Sequence, residues 1–380
     1  MTSVPMLPSA RQWPLWPIKD HQKGRQATGF SLVEVMVGMV IGLLGIIVIF
    51  QVFALSEGYK RTATGGSDAQ QNGIQALFYI ERDARVAGYG IADPSILGCN
   101  VLAYDELRVP TDFNITLIPS QITQGADNNA TTGVGRDSDV ITITYGTASL
   151  LVMPAALTQN MPSPAATFKV ANRFGFKKGD LVIAAEPGKD CTLAEVTNLP
   201  GTPGQTDNVI HNNGTYTNPE GATVNARYNK PSGLGVSYTT NGKLFNIGSL
   251  PNNNAYSILS GNLMLTTTLP TVTSLRIADN IVNLQAVYGK DTVNTPPVRV
   301  DTWNATPPAS WDRVLAVRIG LVARSATREK PNTAGVCAAT TTAPSWSGGA
   351  FDLSADPDWQ CYRYRVFETT VPLRNLIWKP

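Results

Sequence analysis

Residues 29–53 read GFSLVEVMVGMVIGLLGIIVIFQVF. From Phe30 to Phe53 the run is apolar except for Ser31, Glu34 and Gln51, and Glu34 is its only ionisable residue. As a helix it spans about 36 Å at 1.5 Å per residue. A bilayer core is about 30 Å thick, so one helix crosses it with room to tilt. Gly38, Gly42 and Gly45 leave notches along it, and Gly38 with Gly42 forms a G-x-x-x-G spacing that lets a second helix approach closely in lipid. The competing reading is that glycine is simply common in membrane helices.

Working outward, Lys19, Lys23 and Arg25 precede the run, while Glu57, Lys60 and Arg61 mark its far end. The positive-inside rule then puts the N-terminus in the cytoplasm and everything after Phe53 outside. An ordinary secretory signal would have a shorter apolar region, about 7–15 residues, and no acid within it, although Ala54-Leu55-Ser56 offers small residues for a cut. A carboxyl inside a bilayer is costly and marks function by default. No Lys, Arg or His inside the run can pair with Glu34. A cut just before Phe30 would create a free α-amine one helical turn away.

Gly29-Phe30-Ser31-Leu32-Val33-Glu34, followed by apolar residues, resembles the type IV prepilin signature. The resemblance implies cleavage after Gly29 by a prepilin peptidase, methylation of the new N-terminal Phe30, and Glu34 as an assembly carboxylate. It extends along the chain. Asp137–Tyr145, Gly179–Ile183, Val282–Gly289, Trp311–Arg318 and Thr370–Asn375 resemble, in order, segments of PilW-type minor pilins.

Composition fits an exported β-rich protein. Of 380 residues, 15% are charged and 43% hydrophobic, and Gly, Pro, Thr and Asn are plentiful, which favours turns and short strands. Residues 1–29 hold four of the 30 basic and one of the 28 acidic residues, leaving the remainder near −1. So neutral a body has no electrostatic footprint for nucleic acid. Cys99, Cys191, Cys337 and Cys361 are dispersed and form no C-x-x-C pair, which favours disulfides in an oxidising compartment over a metal site. Of the three possible pairings, Cys99 with Cys191 and Cys337 with Cys361 closes sequence-local loops. Asp291 and Asp301 are too far apart for a calcium loop, and no metal or cofactor is expected.

Residues 54–88 read as an amphipathic continuation of the helix, with Ile74, Leu77, Phe78 and Ala84 facing the core and Glu81, Arg82, Asp83 and Arg85 elsewhere. Thr64-Gly65-Gly66-Ser67 is a weak point in it, and Gly88 and Gly90 end it. Beyond lie strands: in Val140–Tyr145, Ile141, Ile143 and Tyr145 alternate with Thr142 and Thr144, and Leu263–Leu269, Val282–Tyr288, Val314–Val322 and Tyr362–Val371 are further candidates. Residues 201–261 read as a loop-rich insertion. Of the two histidines, His211 reads as a solvated turn residue, and no catalytic motif is present. Trp346, Phe351 and Trp359 either cover the core beneath a stapled loop or form a recognition patch.

The expected architecture is α+β, a long N-terminal helix packed on a large antiparallel β-rich globular domain. Residues 1–29 form a removable leader, 30–53 the membrane and polymerisation helix, 54–88 its continuation, and 89–380 the exported domain. The resemblance implies a non-catalytic minor pilin that primes or caps the pilus, serving adhesion and twitching motility. Its implied partners are prepilin peptidase, other minor and major pilins, a tip adhesin and inner-membrane lipid. It would sit single-pass in the inner membrane before reaching the pilus. The alternatives are a pseudopilin of type II secretion and, further off, a membrane-anchored periplasmic enzyme.

Overall fold

The computed structural model describes residues 29–125, 137–149, 153–205, 207–233, 235–293, 295–296 and 298–377. The leader up to residue 28 lies outside the described residues. The chain divides into two compact units, one ending at Tyr59 and the other running from Lys60. Helix α1 (Leu32–Val86) contributes to both and is continuous for 55 residues, through Gly65 and Gly66. The weak point expected there does not break it, because Gly65 is buried within contact distance of Ser325 and packing overrides propensity.

In the first unit the helix is apolar around its whole circumference and its side chains are exposed from Phe30 to Tyr59. A helix hydrophobic all round belongs in lipid or among other helices.

The second unit adds a set of strands: β1 (Asn100–Tyr104), β2 (Asp112–Thr116), β3 (Ser120–Thr123), β4 (Val140–Tyr145), β5 (Ala155–Ala156), β6 (Phe168–Lys169), β7 (Leu181–Ala185), β8 (Cys191–Glu195), β9 (Asn208–Val209), β10 (Thr215–Thr217), β11 (Thr223–Asn225), β12 (Lys243–Gly248), β13 (Asn252–Leu259), β14 (Asn262–Thr267), β15 (Thr273–Asp279), β16 (Ile281–Lys290), β17 (Thr302–Asn304), β18 (Val314–Arg324), β19 (Ser345–Trp346), β20 (Gly349–Ala350) and β21 (Tyr364–Pro372). Helix α2 (Arg374–Ile377) follows. Three sheets dominate, in the orders β2-β1-β8-β7-β12-β5, β15-β14-β13-β4-β3 and β17-β16-β18-β21. Their pairings are antiparallel, in keeping with the lack of helical crossovers, apart from a short parallel join of β1 to β8. Strands β12 and β13 arise within residues 201–261. That stretch therefore supplies two sheet strands as well as the β10–β11 hairpin, because Leu244, Phe245, Ile247, Tyr256 and Ile258 are buried despite their Asn-rich surroundings.

The second and third sheets form one core with the C-terminal part of α1. Ala69, Ala76, Ile80 and Ala84 meet Ile141, Ile143, Tyr256, Leu284, Tyr288, Ile319, Leu321 and Val371. The first sheet is covered on both faces, so β7 and β8 are buried at every position and read as apolar runs rather than as alternation.

Cys99 is joined to Cys191 and Cys337 to Cys361, closing loops of 92 and 24 residues' separation. In the chain-entropy account such loops contribute roughly 3–5 kcal/mol each.

Candidate functional site

At its N-terminus α1 is closed by its own side chains. Ser31 precedes the first helical residue; the Glu34 amide donates to Ser31 Oγ at 3.2 Å, and the Ser31 amide donates to Glu34 Oε2 at 3.4 Å. This reciprocal pair is a capping box, S-x-x-E, and it holds the Glu34 carboxylate on the side of the helix end next to Phe30. Phe30 is exposed, and a methyl group added at Gly29, Gly38, Gly42 or Gly45 would meet nothing within 4 Å. The G-x-x-x-G notch is thus open to a second helix.

The other end of α1 is fixed to the β-rich unit, by residues different from those the helical spacing suggests. Ile74 and Phe78 are exposed and Leu77 is half-buried; the buried stripe is Gly65, Ala69, Gly73, Ala76, Ile80, Ala84 and Ala87. The reason is close approach. A Cβ on Gly73 would sit 2.0 Å from the Phe367 ring, so only small residues let this helix backbone meet β21.

Within that stripe lies one acid, Asp83, which is 1% exposed. Tyr256 Oη and Asn254 Nδ2 each donate to Asp83 Oδ2 at 2.7 Å, and Tyr145 Oη donates to Oδ1 at 3.3 Å. The neighbouring Arg82 reaches Oδ1 from the solvent side at 3.1 Å. Burial, then the Asp83 charge, pushes the Tyr145 phenol up to about 12 and that of Tyr256 further still, so both remain donors. Asp83 thus joins α1 to β4 and β13 through polar bonds that exist at only one register.

Four of the five segments singled out in the sequence surround this docking, and Gly179–Ile183 lies in the first sheet. Asn375 Nδ2 donates to the carbonyls of Val86 and Ala87 at 3.2 and 2.9 Å, closing the end of α1, and Gly88, at φ +80°, turns the chain so that its amide reaches Thr144 O. Asp139 accepts from the Ala286 and Gly125 amides at 2.9 and 3.2 Å, and Ser138 Oγ from Leu284. Trp311 meets Tyr288 edge-on, with ring centroids 5.6 Å apart. These residues hold the fold; their chemistry is structural.

The stapled segment 337–361 lies over the outer face of the third sheet. Trp346 rests flat on Gly320, Phe351 is 1% exposed, and both join Leu353, Val282 and Val322 in a small core. The aromatics therefore cover the sheet. A cleft of about 630 Å³ lies beside the β10–β11 hairpin, lined by Lys177, Glu195, Tyr216, Arg227 and Tyr228. One of its acids, Glu195, is engaged by Tyr216 Oη at 2.7 Å and the Tyr228 amide at 3.1 Å. Among the described residues no group of three or more His, Cys, Asp or Glu converges.

His211 departs from the solvated turn its neighbours suggest. Its ring stacks on Phe168 at 4.4 Å, with Nε2 at 2.9 Å from Ala166 O. Burial pushes its imidazole below the ordinary value. The unfolded chain takes up this proton near pH 6.5, the folded chain only at lower pH, so the contribution is intact above that value and is lost as pH falls. His211→Gln, which keeps a donor but does not titrate, should lose less stability than the wild type between pH 7 and pH 5, read from urea midpoints. Equal losses would count against this placement of the ring.

Residues 248–375 match the family described as Type IV Pilus-assembly protein W, and residues 24–50 match the Prokaryotic N-terminal methylation motif. The first match takes in β13 to β21 with the Val282–Gly289, Trp311–Arg318 and Thr370–Asn375 segments; the second takes in the cap and the glycine notches. No curated protein and no solved structure matches the chain.

Proposed function

From the match of residues 248–375 to the PilW family of type IV pilus-assembly proteins and of residues 24–50 to the N-terminal methylation motif, we propose that the chain is a minor pilin that helps to start or cap the filament. Pilus-assembly proteins of this family are not enzymes, and the chain acts by packing. Prepilin peptidase cuts between Gly29 and Phe30, and the new terminus is methylated. The leader lies in the cytoplasm, the Phe30–Phe53 segment spans the inner membrane, and the β-rich unit lies in the periplasm. Stalks of neighbouring pilins then pack side by side, with Gly38 and Gly42 allowing close approach.

One observation carries this reading. A single continuous helix begins as an apolar, exposed rod with a lone carboxylate at its capped end, and finishes as a built-in part of a β-rich unit. A removable signal needs no such continuity. Deleting the gene should lower surface pili at least tenfold, with recovery on re-expression, and immunogold against the β-rich unit should mark filament ends. Normal piliation with a block in protein secretion would instead assign the chain to a type II secretion pseudopilus.

A further inference from the structure

The β1–β2 connection, residues 105–111, displays two aliphatic side chains on a loop that is held firmly from beneath. Leu107 is 74% exposed and Val109 97%. Asp105, by contrast, is 3% exposed, and Arg227 donates to both of its oxygens, from Nε and Nη2, at 2.6 Å. Asp105 Oδ1 also accepts from the Leu107 amide at 3.0 Å, and Arg227 Nη1 ties the loop to Thr271 Oγ1 at 3.0 Å. Backbone bonds close the ring: Asp105 N to Thr111 O at 2.9 Å, Glu106 N to Arg227 O at 3.0 Å and Arg108 N to Asp105 O at 3.1 Å. The Arg108 guanidinium folds back over Phe113, 4.1 Å from its centroid. A single exposed aliphatic residue is ordinary. Two of them on a loop fixed by a forked, desolvated ion pair are a pre-organised contact, because the ordering cost of association has already been met.

We propose that this loop is a docking knob, and that its occupant is an apolar pocket with a basic rim on a neighbouring pilin-type subunit; this rests on the assembly reading above. The knob's chemistry selects a protein. Two aliphatic side chains are enough for an interface anchor and too little for stable membrane attachment. The exposed acid Glu106 repels anionic headgroups and favours a basic rim, and the loop's own cation is occupied by Phe113. Aliphatic tips have no hydrogen bonds to offer a glycan.

The test places the photoreactive residue p-benzoylphenylalanine at position 109 of the full chain in piliated cells, with Leu275, exposed on β15, as the control position. Irradiation should give an adduct with another pilin-type subunit from position 109 only, reduced at least tenfold by Leu107→Ser. Leu107→Ser/Val109→Ser should unfold at the wild-type urea midpoint yet fall severalfold in sheared pili. An adduct with lipid or with a protein outside the pilus overturns the proposal. So does wild-type incorporation of the double variant without an adduct, which leaves the assembly reading intact. If the wild-type chain itself never enters pili, both readings fall.

Discussion

Asp83→Ala is expected to destabilise the β-rich unit by about 3–5 kcal/mol. The side chain is 1% exposed and is the common acceptor for Tyr256, Asn254 and Tyr145. Truncation leaves those donors buried without it, and each orphaned donor costs roughly 1–3 kcal/mol. Tyr256 Oη keeps a fallback at Tyr79 O, 3.2 Å away, which holds the total below the simple sum. The exposed half of the pair, Arg82, contributes little, since its side chain is 52% exposed and its charge is screened. Asp83→Asn keeps one acceptor oxygen and should cost less. Urea unfolding of the full chain in detergent, followed by tryptophan fluorescence, gives the numbers. A loss under about 1 kcal/mol for the alanine variant would mean that apolar packing alone fixes α1 on the sheets.

Glu34→Ala should leave membrane insertion intact and reduce the chain in sheared pili at least tenfold. Removing an acid makes the stalk more apolar, so insertion proceeds at least as well. After a cut at Gly29 the Phe30 amine is largely protonated at neutral pH. In a bundle of stalks with little water an unpaired carboxylate is costly, so a charged terminus on the same or a neighbouring chain favours entry into the filament. The capping box offers a second explanation, because alanine also removes the acceptor for the Ser31 amide. Glu34→Gln separates the two: it keeps a capping oxygen and loses the charge. If charge pairing governs assembly, Gln fails as Ala does; if capping governs it, Gln restores incorporation. Incorporation of both variants at the wild-type level would remove Glu34 from the account.

The long apolar helix was legible because its physics is one-dimensional: length and hydropathy decide it. The strand Val140–Tyr145 was legible because alternation survives there, and Val282–Tyr288 and Val314–Val322 were legible as short apolar runs, buried at nearly every position. The docking face of α1 was not. Ile74 and Phe78 are the larger side chains and dominate any apolar pattern, yet Gly73 faces the sheet because Phe367, 294 positions later in the chain, needs the space. The polar pattern hid Asp83 for the same reason, since its partners Tyr145, Asn254 and Tyr256 come from distant strands. His211 looked solvated among Asn and Gly, and only tertiary packing brings Phe168 against it. The capping box alone was missed with its signal in view, at Ser31 and Glu34, three residues apart.

The central claim is that a leader is removed at the cytoplasmic face and that the apolar helix stays on as a stalk. Intact-mass analysis of the chain extracted from membranes and from sheared pili tests this most directly. The account predicts one species in both fractions, beginning at Phe30 and carrying a single added methyl group. A mature chain beginning at Glu57, with the apolar helix gone, would contradict it.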